Sequence, residues 1–176
     1  MKTIIQPHIL TPTPLSAENF APFGDVIEIN DQAPIIINDG NTKRYDNLAK
    51  VSCVGDDSYT AISLFRAQAR LFPMRIYMME KHPFGSQSFQ PLSGEPYLVL
   101  VADAVDSLTL ENLHLFLAKH NQGINYHVNT WHHPVLALNH TCDFLVVDRK
   151  GSGHNCDEFF FDDQIHIKIQ YERVSN

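Results

Sequence analysis

The sequence predicts a mainly all-β chain with short helices, best arranged as a jelly-roll β-barrel, on three observations. Short apolar runs recur from Ala61 onward, at Ala61–Phe65, Met74–Met79, Tyr97–Ala102, Val135–Leu138 and Phe144–Asp148. Each has the length of a strand and is bounded by Pro, Gly, Asn or Asp. Ile165, Ile167 and Ile169 alternate with His166, Lys168 and Gln170, the two-residue period of a strand with one buried and one wet face. Helical periodicity is confined to Leu108–Lys119, where Leu110, Leu113, Phe116 and Leu117 can share a face; Leu115-Phe116-Leu117 fits a buried strand equally well. The mouth of an antiparallel barrel is a natural small-molecule site.

In chain order, the opening is irregular. Pro12, Pro14 and Pro22 forbid one long helix, and Ser16 caps at most a short turn over Ala17–Phe20. No repeat, low-complexity segment or linker divides the chain. One domain over 1–176 is expected, a length that buries a core without disulfides or structural metal.

Composition excludes several classes. The formal charge is −7, and thirteen Lys and Arg are spread without a basic run, so no patch suits nucleic acid. Residues 1–10 are interrupted by Gln6, Pro7 and His8, which breaks the apolar core a signal peptide needs, and no later run approaches membrane-spanning length. A soluble, cytoplasmic protein without a membrane partner is expected. Cys53, Cys142 and Cys156 are odd in number and form no CxxC pair, which reads as free thiols.

Histidine carries the chemical signal: nine of the ten lie at or beyond position 82. The densest constellation is Gly123 to Pro134, which holds Tyr126, His127, Trp131, His132 and His133. On an extended chain His132 and His133 point to opposite faces, so one at most enters the interior, with Trp131 turned away from that one. Such an imidazole serves as metal ligand or acid–base group. A second constellation runs from Glu80 through His82-Pro83-Phe84-Gly85 to Glu95. Its turn places Gln87 and Phe89 on one strand face, an amide above an aromatic floor. Arg44 and Arg66 offer the forked donor that a small carboxylate needs. Asp148-Arg149 reads as a structural pair, and the isolated His154-x-Cys156 is too short for a metal site.

The ordered strings Phe20-x-Pro22-Phe23-Gly24-Asp25-Val26-Ile27, Arg44-Tyr45, His82-Pro83-x-Gly85-x-Gln87-x-Phe89-x-Pro91, Gln122-Gly123-x-Asn125-Tyr126-His127-x-Asn129-x-Trp131-His132-His133-Pro134, Asp143-Phe144-Leu145, Asp148-Arg149 and Asn155-Cys156-Asp157 resemble the ureidoglycolate lyases. The resemblance covers residues 15–157, with 158–176 left as a C-terminal strand extension. It implies a cupin-type barrel, a homodimer, and cleavage of (S)-ureidoglycolate to glyoxylate and urea in allantoin breakdown. It further implies a divalent metal, nickel first. The usual cupin pattern of His-x-His, glutamate and a later histidine is absent, because Gln87 and Phe89 stand where the histidine pair is sought; a metal-independent reaction therefore stays open. Asp46-Asn47 also departs from the His-Asp expected after Arg44-Tyr45.

Ureidoglycolate carries a carboxylate, a hydroxyl and a ureido nitrogen on one carbon, so its cleavage needs a base, an acid and a carboxylate clamp. The expected assignments are His133 or His132 as base, Tyr126 or Glu80 assisting at the nitrogen, and Arg66 with Arg44 on the carboxylate. Gln87, Phe89 and Trp131 complete the substrate site, and His82 with His133 are the expected metal ligands. The alternatives are another metal-dependent cupin enzyme acting on a small molecule, which would ignore ureidoglycolate, and a non-catalytic cupin that binds glyoxylate.

Overall fold

A computed structural model describes residues 8–162 and 167–171. Two large sheets face each other. The five-stranded one runs in the order Gly24–Ile27, Gly123–Tyr126, Gln87–Pro91, Cys142–Lys150, Tyr59–Ala67, and every pairing in it is antiparallel. The seven-stranded one runs Asp157–Phe160, Met78–Lys81, Trp131–His132, Tyr97–Ala102, Leu113–Ala118, Thr13–Pro14, with Leu136–Ala137 also paired to Tyr97–Ala102. A three-stranded sheet of His8–Leu10, Ile167–Ile169 and Met74–Ile76 and a hairpin of Ile35–Ile37 with Thr42–Arg44 complete the β structure. The fold is mainly β, as expected for a jelly roll; among the described residues the strand pairings form separate sheets rather than a closed barrel.

The run Tyr97–Ala102 is continuously apolar because it is buried on both faces. Tyr97, Val99 and Val101 join Phe116, Phe89, Ile124, Tyr126, Phe144 and Val146 in a core between the two large sheets. Leu98, Leu100 and Ala102 face the other way, into a second core with Met79, Leu115, Trp131, Ile76 and Ile169.

Met74–Met79, one run in the sequence, is two strands in different sheets, and the exposed Tyr77 is the corner between them. The ambiguous 108–119 segment is a strand over Leu113–Ala118, preceded by a 3-10 turn over Leu110–Asn112. Pairing along all of Tyr97–Ala102 supplies backbone partners that a helix there would forfeit. The helix Ala17–Phe20 is capped by Ser16, whose hydroxyl accepts from the Asn19 N–H. Ile165 and His166 lie outside the described residues, as do Gln6 and Pro7, whereas Ile167–Ile169 is a strand with Ile169 buried.

Gly24 permits a close approach of two strands: a Cβ there would collide with the Asn125 carbonyl oxygen. That contact holds the Gly24–Ile27 strand against the strand that delivers Tyr126.

Candidate active site

The strand Met78–Lys81 lies beside Trp131–His132 with Glu80 opposite His132, and His132 in turn lies opposite Val101. Val101 belongs to the core between the sheets, so His132 and Glu80 face that space. His82, two residues after Glu80 and just beyond the strand end, continues on the same side. One oxygen of Glu80 and one nitrogen each of His82 and His132 lie within 4.8 Å of one another. The His132 Nε2 to Glu80 Oε1 distance is 3.5 Å.

The surrounding hydrogen bonds set the imidazole tautomers. His82 Nδ1 is 2.7 Å from the Asn155 carbonyl, and His132 Nδ1 is 2.8 Å from the Thr130 carbonyl. A carbonyl only accepts, so both Nδ1 atoms donate, and in the neutral rings both Nε2 atoms present lone pairs. Those two Nε2 atoms are buried without a hydrogen-bond partner among the described residues. Two converging lone pairs and a carboxylate repel one another unless a cation neutralises them, and imidazole Nδ1–H bonded to a carbonyl is the usual outer support of a metal-ligating histidine. The donor set therefore fits a divalent transition metal.

Local structure explains the positioning. Asn129 adopts a left-handed φ of 66°, which asparagine tolerates, and so turns the chain between Tyr126 and Trp131. Its N–H donates to the His82 carbonyl at 3.0 Å, tying the two histidine segments together. Asn155 fixes the other side, accepting from the Phe84 N–H through its side chain at 2.8 Å. Tyr126 stacks on His132 with ring centroids 4.2 Å apart, and the His82 ring lies 5.1 Å away.

Burial opposes ionisation of Glu80, but with a proton on the facing imidazole nitrogen the hydrogen bond and charge of His132, helped by His82 and His133, outweigh that cost and hold its carboxyl below the ordinary range; with neutral rings a bound cation takes over that part. Burial first, and then proximity to His132, push His82 down, against the pull of Asn155, Glu80 and Gln87. Tyr126 is pushed well up, by burial first and then by Glu80, so its phenol keeps its proton.

The other expected site residues are placed as follows. His133 is buried but stands outside the three-residue cluster; its Nδ1 donates to the Pro134 carbonyl at 2.8 Å, and it lines a wider cavity of about 700 Å³ with Arg70 and Met78. Burial lowers its pKa, and it remains coupled electrostatically to Glu80 and His132. Gln87 adjoins His82, and both line a separate cavity of about 270 Å³. Phe89 shares the inward face with Gln87 but is a core residue, packed edge-on against Tyr126 and Phe144.

Trp131 is not part of the cluster. It points into the second core against Phe159, donates from Nε1 to the Val105 carbonyl, and carries the Lys81 ammonium over its ring, 4.6 Å from the centroid. The strand parity that turns His132 inward requires this. Arg66 is exposed and forms a bidentate pair with Asp143 at 2.8 Å, and Arg44 is exposed and paired with Asp46 at 2.6 Å. Both forks are thus engaged by neighbouring carboxylates, and no contact links either to the cluster. The expected Asp148–Arg149 pair is also absent. Arg149 donates instead to the carbonyls of Val54 and Ser152, while Asp148 lies 3.4 Å from Lys150, because adjacent residues of a strand point to opposite faces. His154 pairs with Asp157 in solvent, whereas Cys156 Sγ lies 3.9 Å from Glu80 Oε2.

A mainly β fold with two imidazoles and a carboxylate gathered between its main sheets defines a cupin-like enzyme class that acts on small molecules. A family model described as ureidoglycolate lyase matches residues 7–168. A ureidoglycolate lyase of Stutzerimonas stutzeri is 46% identical over 166 residues, covering 94% of this chain and 98% of the relative. One of Brucella anthropi is 51% identical over 150 residues, covering 85% and 88%, and one of Rhizobium etli is 47% identical over 162 residues, covering 92% and 97%. The chain belongs to the ureidoglycolate lyase family.

Proposed function

We propose that this protein splits (S)-ureidoglycolate into glyoxylate and urea at the Glu80–His82–His132 cluster, with a divalent metal, nickel first, held by Glu80 and the two Nε2 atoms. The observation that carries the site is the convergence of two unpartnered, buried Nε2 lone pairs beside an ionised carboxylate. Bound there, a divalent cation would act as a Lewis acid on the oxygens of the substrate.

The chain's own groups divide the remaining work. His133 has its Nδ1 proton engaged by Pro134, which leaves Nε2 as acceptor, and burial favours its neutral form. Although it lines the neighbouring cavity, it is coupled electrostatically to Glu80 and His132 and is the base for the substrate hydroxyl proton, while His132 serves as ligand. The proton taken from the hydroxyl returns to the ureido nitrogen as the carbon–nitrogen bond breaks, so no water is consumed. Glu80, held ionised, is a poor acid and a good ligand. Tyr126 keeps its proton and supports the His132 ring by stacking. Gln87 faces the ureido end.

Treating the protein with chelator and restoring nickel tests both parts. Glyoxylate release from ureidoglycolate should fall on chelation and recover on re-addition. Release indifferent to chelator removes the metal from the account, and no release from the metal-loaded protein removes the lyase reading.

The same reading includes a cytoplasmic homodimer without nucleic-acid or membrane partners. The three cysteines are free, in keeping with a reducing compartment; no helix among the described residues is long and apolar enough to cross a membrane. The outer face of the five-stranded sheet supports self-association: Ile62 and Leu64 are each 73% exposed and stand opposite Val147 and Leu145. Leu64→Glu should convert the dimer to a monomer in light scattering; an unchanged mass places the contact elsewhere.

A further inference from the structure

The cavity of about 270 Å³ beside the cluster is lined by His82, Gln87, Asp148, Lys150 and Cys156, among others. Asp148 is the one acidic group in that lining. The inward alternation Phe144, Val146 ends on it, and the two hydrophobic members lie in the core between the sheets. It stands directly opposite Gln87 across the ladder.

The residue is 9% exposed, and its Oδ1 is buried without a hydrogen-bond partner among the described residues. Its other oxygen, Oδ2, accepts from the half-exposed Lys150 ammonium at 3.4 Å, a contact that leaves Oδ1 unsatisfied. Arg149 also lines the cavity, but its guanidinium donates to the Val54 and Ser152 carbonyls. A carboxylate oxygen kept buried without a donor is costly to maintain and calls for N–H groups that arrive with a ligand.

We propose that Asp148, with Gln87, forms the subsite for the ureido end of the substrate. A ureido group offers N–H donors on both nitrogens and one carbonyl acceptor. An ionised carboxylate takes the donors, and the glutamine amide gives an N–H to the carbonyl. The subsite adjoins His82, so a substrate anchored by its ureido end presents its hydroxyl- and carboxylate-bearing carbon toward the cluster.

This inference rests on the lyase reading, and product inhibition separates the two. Urea and glyoxylate are each measured as inhibitors of ureidoglycolate cleavage by wild type and by Asp148→Asn, with thermal unfolding as control. The expected result is a urea inhibition constant raised about tenfold or more, the cost of losing a charge-assisted bond, and a glyoxylate constant within about twofold of wild type. Gln87→Glu, which removes the amide donor at constant volume, should act in the same direction and serves if Asp148→Asn does not fold. Wild-type turnover with the urea constant unchanged in the variants, or with both constants moved alike, overturns the subsite. Absence of wild-type turnover overturns the lyase reading instead.

Discussion

Glu80→Gln and His132→Gln proteins should each release glyoxylate from ureidoglycolate about 10²–10⁴-fold more slowly than wild type, the range over which a single positioned acid, base or ligand acts. Glutamine preserves the volume at position 80 while removing the charge, so the strand pairing of Met78–Lys81 to its neighbours survives. At position 132 it removes the Nε2 lone pair that faces Glu80 and leaves an amide able to contact the Thr130 carbonyl. Nickel bound per chain, measured by elemental analysis, should fall in parallel. Near-wild-type turnover in either variant would take the cluster out of the reaction.

Phe144→Ala should lower unfolding free energy by about 3–5 kcal/mol, measured by denaturant titration. Phe144 is fully buried, with the Tyr97 ring 5.0 Å and the Phe89 ring 6.1 Å from its own, each edge-on. Neighbours drawn from both large sheets are locked in backbone ladders, so the cavity cannot close by collapse of one strand. A loss below about 1 kcal/mol would mean that the two sheets are not joined by this core, since removing a buried aromatic ring from a packed core costs about 3–5 kcal/mol.

The strands were readable because burial writes itself into periodicity. Tyr97–Ala102 and Phe144–Asp148 emerge as strands, and the break at Tyr77 was hidden only because Met74–Met79 is apolar on both sides of the corner. Leu113–Ala118 could not be decided locally, since its pairing partners are distant in sequence.

The site was half legible. Strand parity turns Trp131 away from the face of its neighbour His132, into the second core, and the expectation of Trp131 in the substrate site overlooks that parity. The choice between His132 and His133 did not follow, because it depends on which partner each faces across the sheet. Glu80-x-His82 carries the signal of two potential ligands sharing a strand face, upstream of Gln87-x-Phe89, which occupies the place of the familiar His-x-His. Asp148 was likewise visible as a polar residue ending an inward apolar alternation, yet adjacency to Arg149 suggested a pair that strand geometry forbids. Arg44 and Arg66 matched the chemistry of a carboxylate, but the sequence does not show that Asp46 and Asp143 lie within reach of them.

The central claim is tested most directly by incubating metal-loaded protein with each ureidoglycolate enantiomer and measuring glyoxylate, urea and ammonia together. The account predicts glyoxylate and urea in equal amounts from the (S) form, with no ammonia. Ammonia in place of urea, or no product from either enantiomer, would contradict it.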